Sequence, residues 1–521
     1  MNVTTAASPG SPAHPDLRLS TPRGRWVVTA TVLGSGMAAL DATVVGIALP
    51  AIGREFHAGV ASLQWVVDAY TLTLAGLLLL GGTLGDSYGR RKMFVVGTVW
   101  FALASLLCGV APSVGVLIAA RALQGVGGAL LTPGSLAILQ ASFAEDDRMA
   151  AIGAWSGLGG VATAIGPFVG GWLISAVSWR LVFFINLPLA ALVVAVSARH
   201  VPETKSPGPV PRLDVKGALC ISGALAGITY GLIAASAEGW GSLPVLLPLA
   251  VGVLLLGLFV LVEAREPEPM LPLGIFASRQ FSAANAVTFV VYAALGGLLF
   301  LVPTVLQVVH GYEPIWAGTA LLPVTFIMLA LSSRSGALAA RIGPRLQMSV
   351  GPLVIAVSLL LFTRIADSGD YLTAVLPAAL VFGLGVAIMV APLTATALSS
   401  APADHAGVAS AVNNDVARAA SLIAVAVLPA LAGITGDSYL HPAQLGHGFK
   451  TAAVIAAAFC AAGGVLAALT IRNPSKKKCE ESTPQGFNCG LEGPPLRQPQ
   501  LRSLEPTAAT DAPTAPTKDG R

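Results

Sequence analysis

Fourteen apolar stretches, each about as long as a bilayer is thick, leave this chain few ways to fold. They lie near residues 26–50, 62–82, 94–111, 115–140, 150–175, 180–198, 215–235, 243–262, 281–305, 315–333, 347–364, 371–398, 406–433 and 449–471. A helix rises about 1.5 Å per residue, so roughly 20 apolar residues cross a hydrocarbon core about 30 Å thick. Lipid offers the backbone no hydrogen-bond partner, and a helix satisfies its own. Composition agrees. Of 521 residues, 55% are hydrophobic and only 11% charged, against about 25% charged in soluble domains, and the mean hydropathy is +0.76. The sequence therefore predicts an all-α polytopic membrane protein with 14 transmembrane helices.

The first stretch is longer than a signal-peptide core of about 7–15 residues and is expected to stay as helix one. Residues 1–25 read as a disordered arm, and residues 472–521, rich in Pro, Ser and Thr, as a disordered tail. An even number of spans puts both termini on one side. Lys and Arg choose the side. Arg23, Arg25, Arg90, Arg91, Lys92, Arg148, Arg199, Lys205, Arg212, Lys216, Arg265, Arg279, Arg334, Arg341, Arg345 and Lys476 to Lys478 fall on one face; the other holds only Arg54, Arg180, Arg364 and Lys450. Both termini are expected in the cytoplasm.

The chain also repeats itself. GTLGDSYGRR at 82–91 returns as GALAARIGPR at 336–345, an offset of 254, and Asp147-Arg148 returns as Asp404-His405, an offset of 257. Such an echo is expected of two related six-helix halves, here 26–198 and 281–471. Two further helices lie between them, within 199–280, and read as structural filler.

The fifth stretch, AAIGAWSGLGGVATAIGPFVGGW at 150–172, is uncharged and contains seven glycines. At 3.6 residues per turn, Gly153, Gly157, Gly160, Ala164, Pro167 and Gly171 share one face, with Gly159, Gly166 and Gly170 beside it. Two stripes without side chains let two neighbouring backbones approach closely. Pro167 removes one donor and favours a kink. Spacing alone fits a tightly packed structural helix as well as a functional one.

Charges inside a membrane usually face a cavity or a partner. Asp41, Asp68 and Arg121 fall at similar depth in spans one, two and four. Asp415 and Arg418 are three apart in span thirteen, where they can pair; a self-neutralising structural pair remains open. A carboxylate in such a cavity is a usable proton site, since burial disfavours its charge and a nearby guanidinium restores it. A cationic substrate beside it would compete with the proton, which is the simplest basis of exchange.

Other classes find little support. The net charge of +4 gives no nucleic-acid patch. No GxxxxGK[ST] loop offers ATP a site. His14, His57, His200, His310, His405, His441 and His447 sit in loops, tails or span ends, so no metal or enzyme cluster is expected. Cys108, Cys220 and Cys460 lie in apolar spans and Cys479 and Cys489 in the tail, without metal or disulfide spacing. No cofactor is expected.

Several stretches resemble the major facilitator superfamily, specifically its fourteen-helix drug:proton antiporter branch. The run Gly157 to Gly171, with Gly166-Pro167 and Gly170-Gly171, is similar to the "antiporter motif" of helix five. Leu40-Asp41-Ala42-Thr43-Val44-Val45 through Ala48-Leu49-Pro50 resembles the branch's span-one signature, with Gly46 where Asn is usual. Trp65-Val66-Val67 with Tyr70 opens span two in the same manner. Gly82-Thr83-Leu84-Gly85-Asp86 and Gly89-Arg90-Arg91-Lys92 resemble a cytoplasmic gating loop, whose second copy has Ala340 where Asp86 aligns. Arg121-Ala122-Leu123-Gln124-Gly125 resembles the span-four motif whose arginine is tied to proton transfer. Trp179-Arg180 and Phe183-Phe184-Ile185-Asn186 with Pro188 continue the match, and Gly407 through Asn414 to Arg418 fits more loosely.

The resemblance covers about residues 26–470. It implies a major facilitator fold working as a proton-driven antiporter, without ATP or nucleic acid and as a monomer, that exports amphipathic or cationic organic compounds through the cytoplasmic membrane. Asp41, Asp68, Arg121, Gln124, Asn414, Asp415 and Arg418 are the candidate coupling and substrate residues. Gly82, Asp86, Gly89, Arg90 and Arg91 would form the gating loop. An uptake symporter of the same fold and a non-transporting membrane sensor are the alternatives.

Overall fold

A computed structural model describes residues 17–205, 213–267, 269–401, 406–438 and 441–473. Among them are fourteen helices long and apolar enough to cross a membrane. They are α1 (Pro22–Phe56), α2 (Val60–Tyr88), α3 (Arg90–Gly109), α4 (Val114–Ser142), α5 (Glu145–Ala176), α6 (Leu181–His200), α7 (Val215–Glu238), α8 (Leu243–Glu263), α9 (Arg279–Val308), α10 (Pro314–Ile342), α11 (Pro344–Ala366), α12 (Tyr371–Ser399), α13 (Ala406–Leu431) and α14 (Pro442–Thr470). Most run past the apolar stretch that predicts them, because polar side chains cap their ends. Thr21, Ser113, Asp214 and Ser278 each accept a hydrogen bond from the first turn that follows.

The arm expected to be disordered through Arg25 is ordered from Leu17. Its backbone bonds to Ser142 and Ala144 across the end of α4, and the Leu19 N–H donates to Asp147 at 2.9 Å. Residues 1–16, the tail from 474, and the Asp404-His405 half of the second echo lie outside the described residues. The kink expected at Pro167 does not divide α5, which runs on as one helix. Breaks fall elsewhere, at Ile185 in α6 and at Ala320 and Leu321 in α10.

The two halves repeat each other's packing. In α1–α6, α1 packs on α4, α5 and α6, α4 on α2 and α3, and α3 on α6; adding eight to each number gives the pairings of α9–α14. The halves meet along α1–α9 and along two equivalent seams, α2–α13 and α5–α10. The inserted pair is more than filler. Its helices pack on each other, and α7 also lies against both α2 and α13, so it covers one of the two seams.

Contact between the halves is concentrated at one end. The face that holds the start of α1 and the end of α14 is the terminal face, and the other is the distal face. The distal part of α1, from Val44 to Ile52, shares one apolar core with Leu298, Leu301, Val302 and Val305 of α9 and with Ala317 and Ala320 of α10. The terminal part, from Val27 to Ala38, packs only within the first half. Hydrogen bonds joining the halves also lie distally: Gln64 to the carbonyls of Val425 (2.6 Å) and Ala426 (3.0 Å), Gln307 to Ile47 (3.0 Å), and Val60 to Gly436 (2.8 Å).

The glycine helix α5 traces the same gradient. Gly166 and Gly170 sit against Thr43 and Val44 of α1, and a Cβ at Gly171 would lie 2.6 Å from the Ile315 Cα. Gly318 is equally close to Pro167, its Cβ position 2.5 Å from that carbonyl oxygen. Midway, a Cβ at Gly160 would reach only Leu329, at 3.8 Å, and at Gly153, Gly157 and Gly159 it would meet nothing within 4 Å. The halves are closed distally and spread apart towards the terminal face.

Candidate functional site

One polar cluster is buried inside the first half. Asp41 of α1 and Arg121 of α4 form an ion pair, with side-chain exposures of 0% and 1%. Asp41 Oδ1 also accepts from Gln124 Nε2 at 2.8 Å and from Asn186 Nδ2 at 3.3 Å. Arg121 donates from Nε to the Val66 carbonyl (3.0 Å) and from Nη1 to Gln124 Oε1 (2.6 Å). Ser105 Oγ receives hydrogen bonds from Gln124 (2.7 Å) and Asn186 (3.2 Å). The guanidinium lies 4.3 Å from the centroid of the Tyr70 ring, on whose face a cation is favoured.

These residues come from α1, α2, α3, α4 and α6, so the cluster ties five helices together. An ion pair in a dry interior persists only when its remaining hydrogen-bonding capacity is satisfied, and here nearly every polar atom has a partner. The shared depth of Asp41 and Arg121 was readable from the sequence. Ser105, Tyr70 and Asn186 were not assigned roles there, although a lone asparagine in an apolar span is a usable signal. The saturation also corrects one expectation: in this conformation Asp41 is enclosed by donors and offers a cationic substrate no free face.

Asp68 stands apart from that cluster. It is fully buried, and neither carboxylate oxygen has a hydrogen-bond partner. Val66 and Tyr70, which hold Arg121, are two residues away on either side of it and so face the other way round α2. Asp68 belongs to the stripe of Trp65, Leu72 and Ala75, which packs with Ile221, Leu225 and Ala226 of α7 and Ala419 and Leu422 of α13. It therefore occupies the seam that α7 covers.

Asp415 and Arg418 of α13, whose spacing left a self-neutralising pair open, make no direct ion pair in this conformation. Asp415 Oδ1 is buried without a hydrogen-bond partner, and Arg418 is half-buried on the same helix. Asn414 is exposed and donates only to the Ser410 carbonyl, at 2.9 Å. Its neighbour Asn413 is the buried one, bonded to Asn285 (3.1 Å) and Thr288 (2.9 Å) of α9. Adjacent residues on a helix point about 100° apart, so the choice between them depends on the neighbouring helix.

The loop between α2 and α3 forms as a compact unit. Asp86 Oδ1 pairs with Arg90 through Nε (2.8 Å) and Nη2 (2.7 Å). Glu203, just after α6, accepts from the Arg91 (3.1 Å) and Lys92 (3.2 Å) N–H groups and so caps α3 from far along the chain. Gly89 has φ +116°, and a Cβ there would lie 2.6 Å from Glu203 Oε1. Gly82 passes Pro133 of α4 with room for a Cβ at 3.7 Å. The second copy reproduces the device: Gly343 has φ +86°, and Asn473, just after α14, accepts from the Arg345 N–H at 3.0 Å. At the distal face Glu55 holds Arg180 (2.5 Å) and Trp179 (2.6 Å), clamping the ends of α1 and α6.

Comparison with known proteins adds independent findings. A model of the Major Facilitator Superfamily matches residues 31–424. The chain is 38% identical to a tetracenomycin C resistance and export protein of Streptomyces glaucescens, over 84% of this chain and 82% of that one. It is 37% identical to a puromycin resistance protein of Streptomyces alboniger, over 83% and 86%, and 35% identical to the multidrug resistance protein Stp of Mycobacterium tuberculosis, over 79% and 76%. Among solved structures, a bacterial homologue of the human lysosomal transporter Spinster, inward-facing and occupied, superposes with a TM-score of 0.62 at 17% identity, covering 87% of this chain and 98% of that one. At such identity that likeness speaks for the fold alone.

Proposed function

This chain belongs to the Major Facilitator Superfamily, and from that premise we propose that it is a proton-coupled antiporter exporting amphipathic or cationic organic compounds across the cytoplasmic membrane. It is a multi-pass membrane transporter and not an enzyme. The efflux direction draws support from relatives named for antibiotic resistance, export and multidrug efflux. The excess of Lys and Arg on the terminal face supports placing both termini in the cytoplasm. The open side of the molecule then faces the cytoplasm, where an exporter collects its substrate. The Asp86–Arg90 loop gates that side, and one chain acts alone, driven by the proton gradient.

The observation that carries the coupling mechanism is Asp68. Its carboxyl is buried without a partner in a seam shared by the two halves, and burying a lone charge costs far more than burying a neutral carboxyl. In our reading Asp68 is closed in with its proton when the seam is shut and gives it up when rocking of the halves wets the seam. Asp41 and Arg121, with Gln124, form the fixed polar core beside which this happens, while Asp415 and Arg418 extend the polar path along α13.

Substrate-induced proton release from the purified protein tests the assignment. The native chain should release protons when ethidium is added in weakly buffered detergent, and Asp68→Asn should release none while still binding ethidium. Release from Asp68→Asn equal to the native value would return the role to Asp41 or Asp415.

A further inference from the structure

A cavity of about 630 Å³, lined by neither Asp41 nor Asp68, opens at the distal face between the α9–α10 connection and the start of α12. Tyr312, Trp316 and Tyr371 line it together with Glu313 and Thr319. Its size falls within the roughly 300–1,000 Å³ of small-molecule sites.

The chemistry of the wall is specific. Three aromatic rings line the cavity, and the face of such a ring favours a positive charge. The Tyr312 hydroxyl donates to the Gly369 carbonyl at 2.6 Å, which holds that ring in place. The other acids nearby are already engaged: Asp367 pairs with Lys450 at 2.5 Å, and Asp370 accepts from Thr373 N (2.9 Å) and Oγ1 (2.6 Å). The Glu313 carboxylate, exposed at the mouth of the cavity, has neither an ion pair nor a hydrogen bond among the described residues, and no Lys or Arg lines the cavity. A single uncompensated carboxylate among aromatic rings suits a bulky organic monocation, whose charge is too spread out to need a ring of oxygen ligands.

The position gives the site a role. Residues 314–319 form a separate helical turn at the start of α10. Glu313 and Trp316 face the cavity from this turn, and Ile315 and Gly318 of the same turn make the distal seal with Gly171 and Pro167 of α5. We propose that this cavity is an exit-side site for amphipathic organic cations, coupled through the first turn of α10 to the seal that must part when substrate leaves. Its place as an exit station rests on the export reading above; cation binding at the cavity does not.

Equilibrium binding of tetraphenylphosphonium to the full chain in lipid nanodiscs tests the site. Trp316→Ala should weaken one class of binding about threefold, the scale of one exposed cation–π contact. Glu313→Gln should weaken the same class through loss of the charge attraction, and Glu313→Lys should abolish it. Glu238→Gln, which removes an exposed carboxylate at the same face outside the cavity, should leave that class intact. Unchanged binding in Glu313→Gln and Trp316→Ala, an equal loss in Glu238→Gln, or no binding by the native chain up to the solubility of the probe would each overturn the proposal. If Trp316→Ala lowers thermal stability while both it and Glu313→Gln bind normally, the ring is an interfacial anchor and the site is again refuted. Failure of proton release with the Glu313-dependent class preserved would defeat the antiport reading and leave this one standing.

Discussion

At the scale of single residues, the sequence carried depth but not direction. Counting along the spans put Asp41, Asp68 and Arg121 at one level, which is correct for the ion pair. It could not show that Asp68 points round α2 into another seam, because rotation about a helix axis is set by the partner it packs against. The same gap explains why the sequence points to Asn414 and the structure buries Asn413, and why Asp415 and Arg418, well spaced for pairing, make no direct ion pair. The Asp41–Arg121 pair has a direct energetic test. Removing one member leaves an uncompensated buried charge, at a cost of roughly 3–5 kcal/mol, whereas removing both leaves none. Asp41→Asn and Arg121→Gln should each lower the denaturation midpoint in detergent strongly, and the double variant should lose clearly less than the two losses combined. Strictly additive losses would mean that the two side chains do not interact. Arg121→Lys should resemble a single deletion, since an ammonium cannot bond Val66, Gln124 and Asp41 in the guanidinium's planar geometry.

At the scale of elements, hydropathy located all fourteen spans, because a bilayer demands the same apolar length of each. It said little about what they touch. In lipid, an apolar face turned to a neighbouring helix reads like one turned to acyl chains, so the packing of α7 on α2 and α13 left no trace in the sequence. The repeated loop was legible as a pattern, while its long-range caps were not. Glu203 and Asn473 follow α6 and α14, and each closes the first turn of a helix three positions earlier in its own half. Losing a cap of this kind costs about 1 kcal/mol. Glu203→Ala should therefore speed amide hydrogen exchange in the first turn of α3 and leave α11 unchanged, and Asn473→Ala should do the reverse. Equal effects on both helices from either variant would show that the caps are not local.

At the scale of the whole molecule, the duplication was readable from two echoes, but the conformational state was not, since one sequence serves every state of a transport cycle. The structure records the state closed at the distal face, and α5 shows how a second one could arise. Its stripe of small residues meets α10 tightly at Gly171 and loosely at Gly160, and at Gly157 not at all. If the halves rock about their shared core, closing the terminal face brings α10 onto Gly153 and Gly157 as Gly171 is released. Glycines at opposite ends of one helix should then govern opposite half-cycles. Gly157→Leu should fit this conformation without strain and prevent closure of the terminal face. Gly171→Leu should push residues 314–319 away and favour the alternative state. Spin labels on Ala150 and Ile342 would report the terminal face, and labels on Ala176 and Glu313 the distal face, in a background without native cysteines. Gly157→Leu should hold the terminal pair at its long distance with or without substrate, whereas Gly171→Leu should lengthen the distal pair and shorten the terminal one. Native-like exchange in Gly157→Leu would mean that α5 never closes on α10 at that level, and that the seam hinges elsewhere.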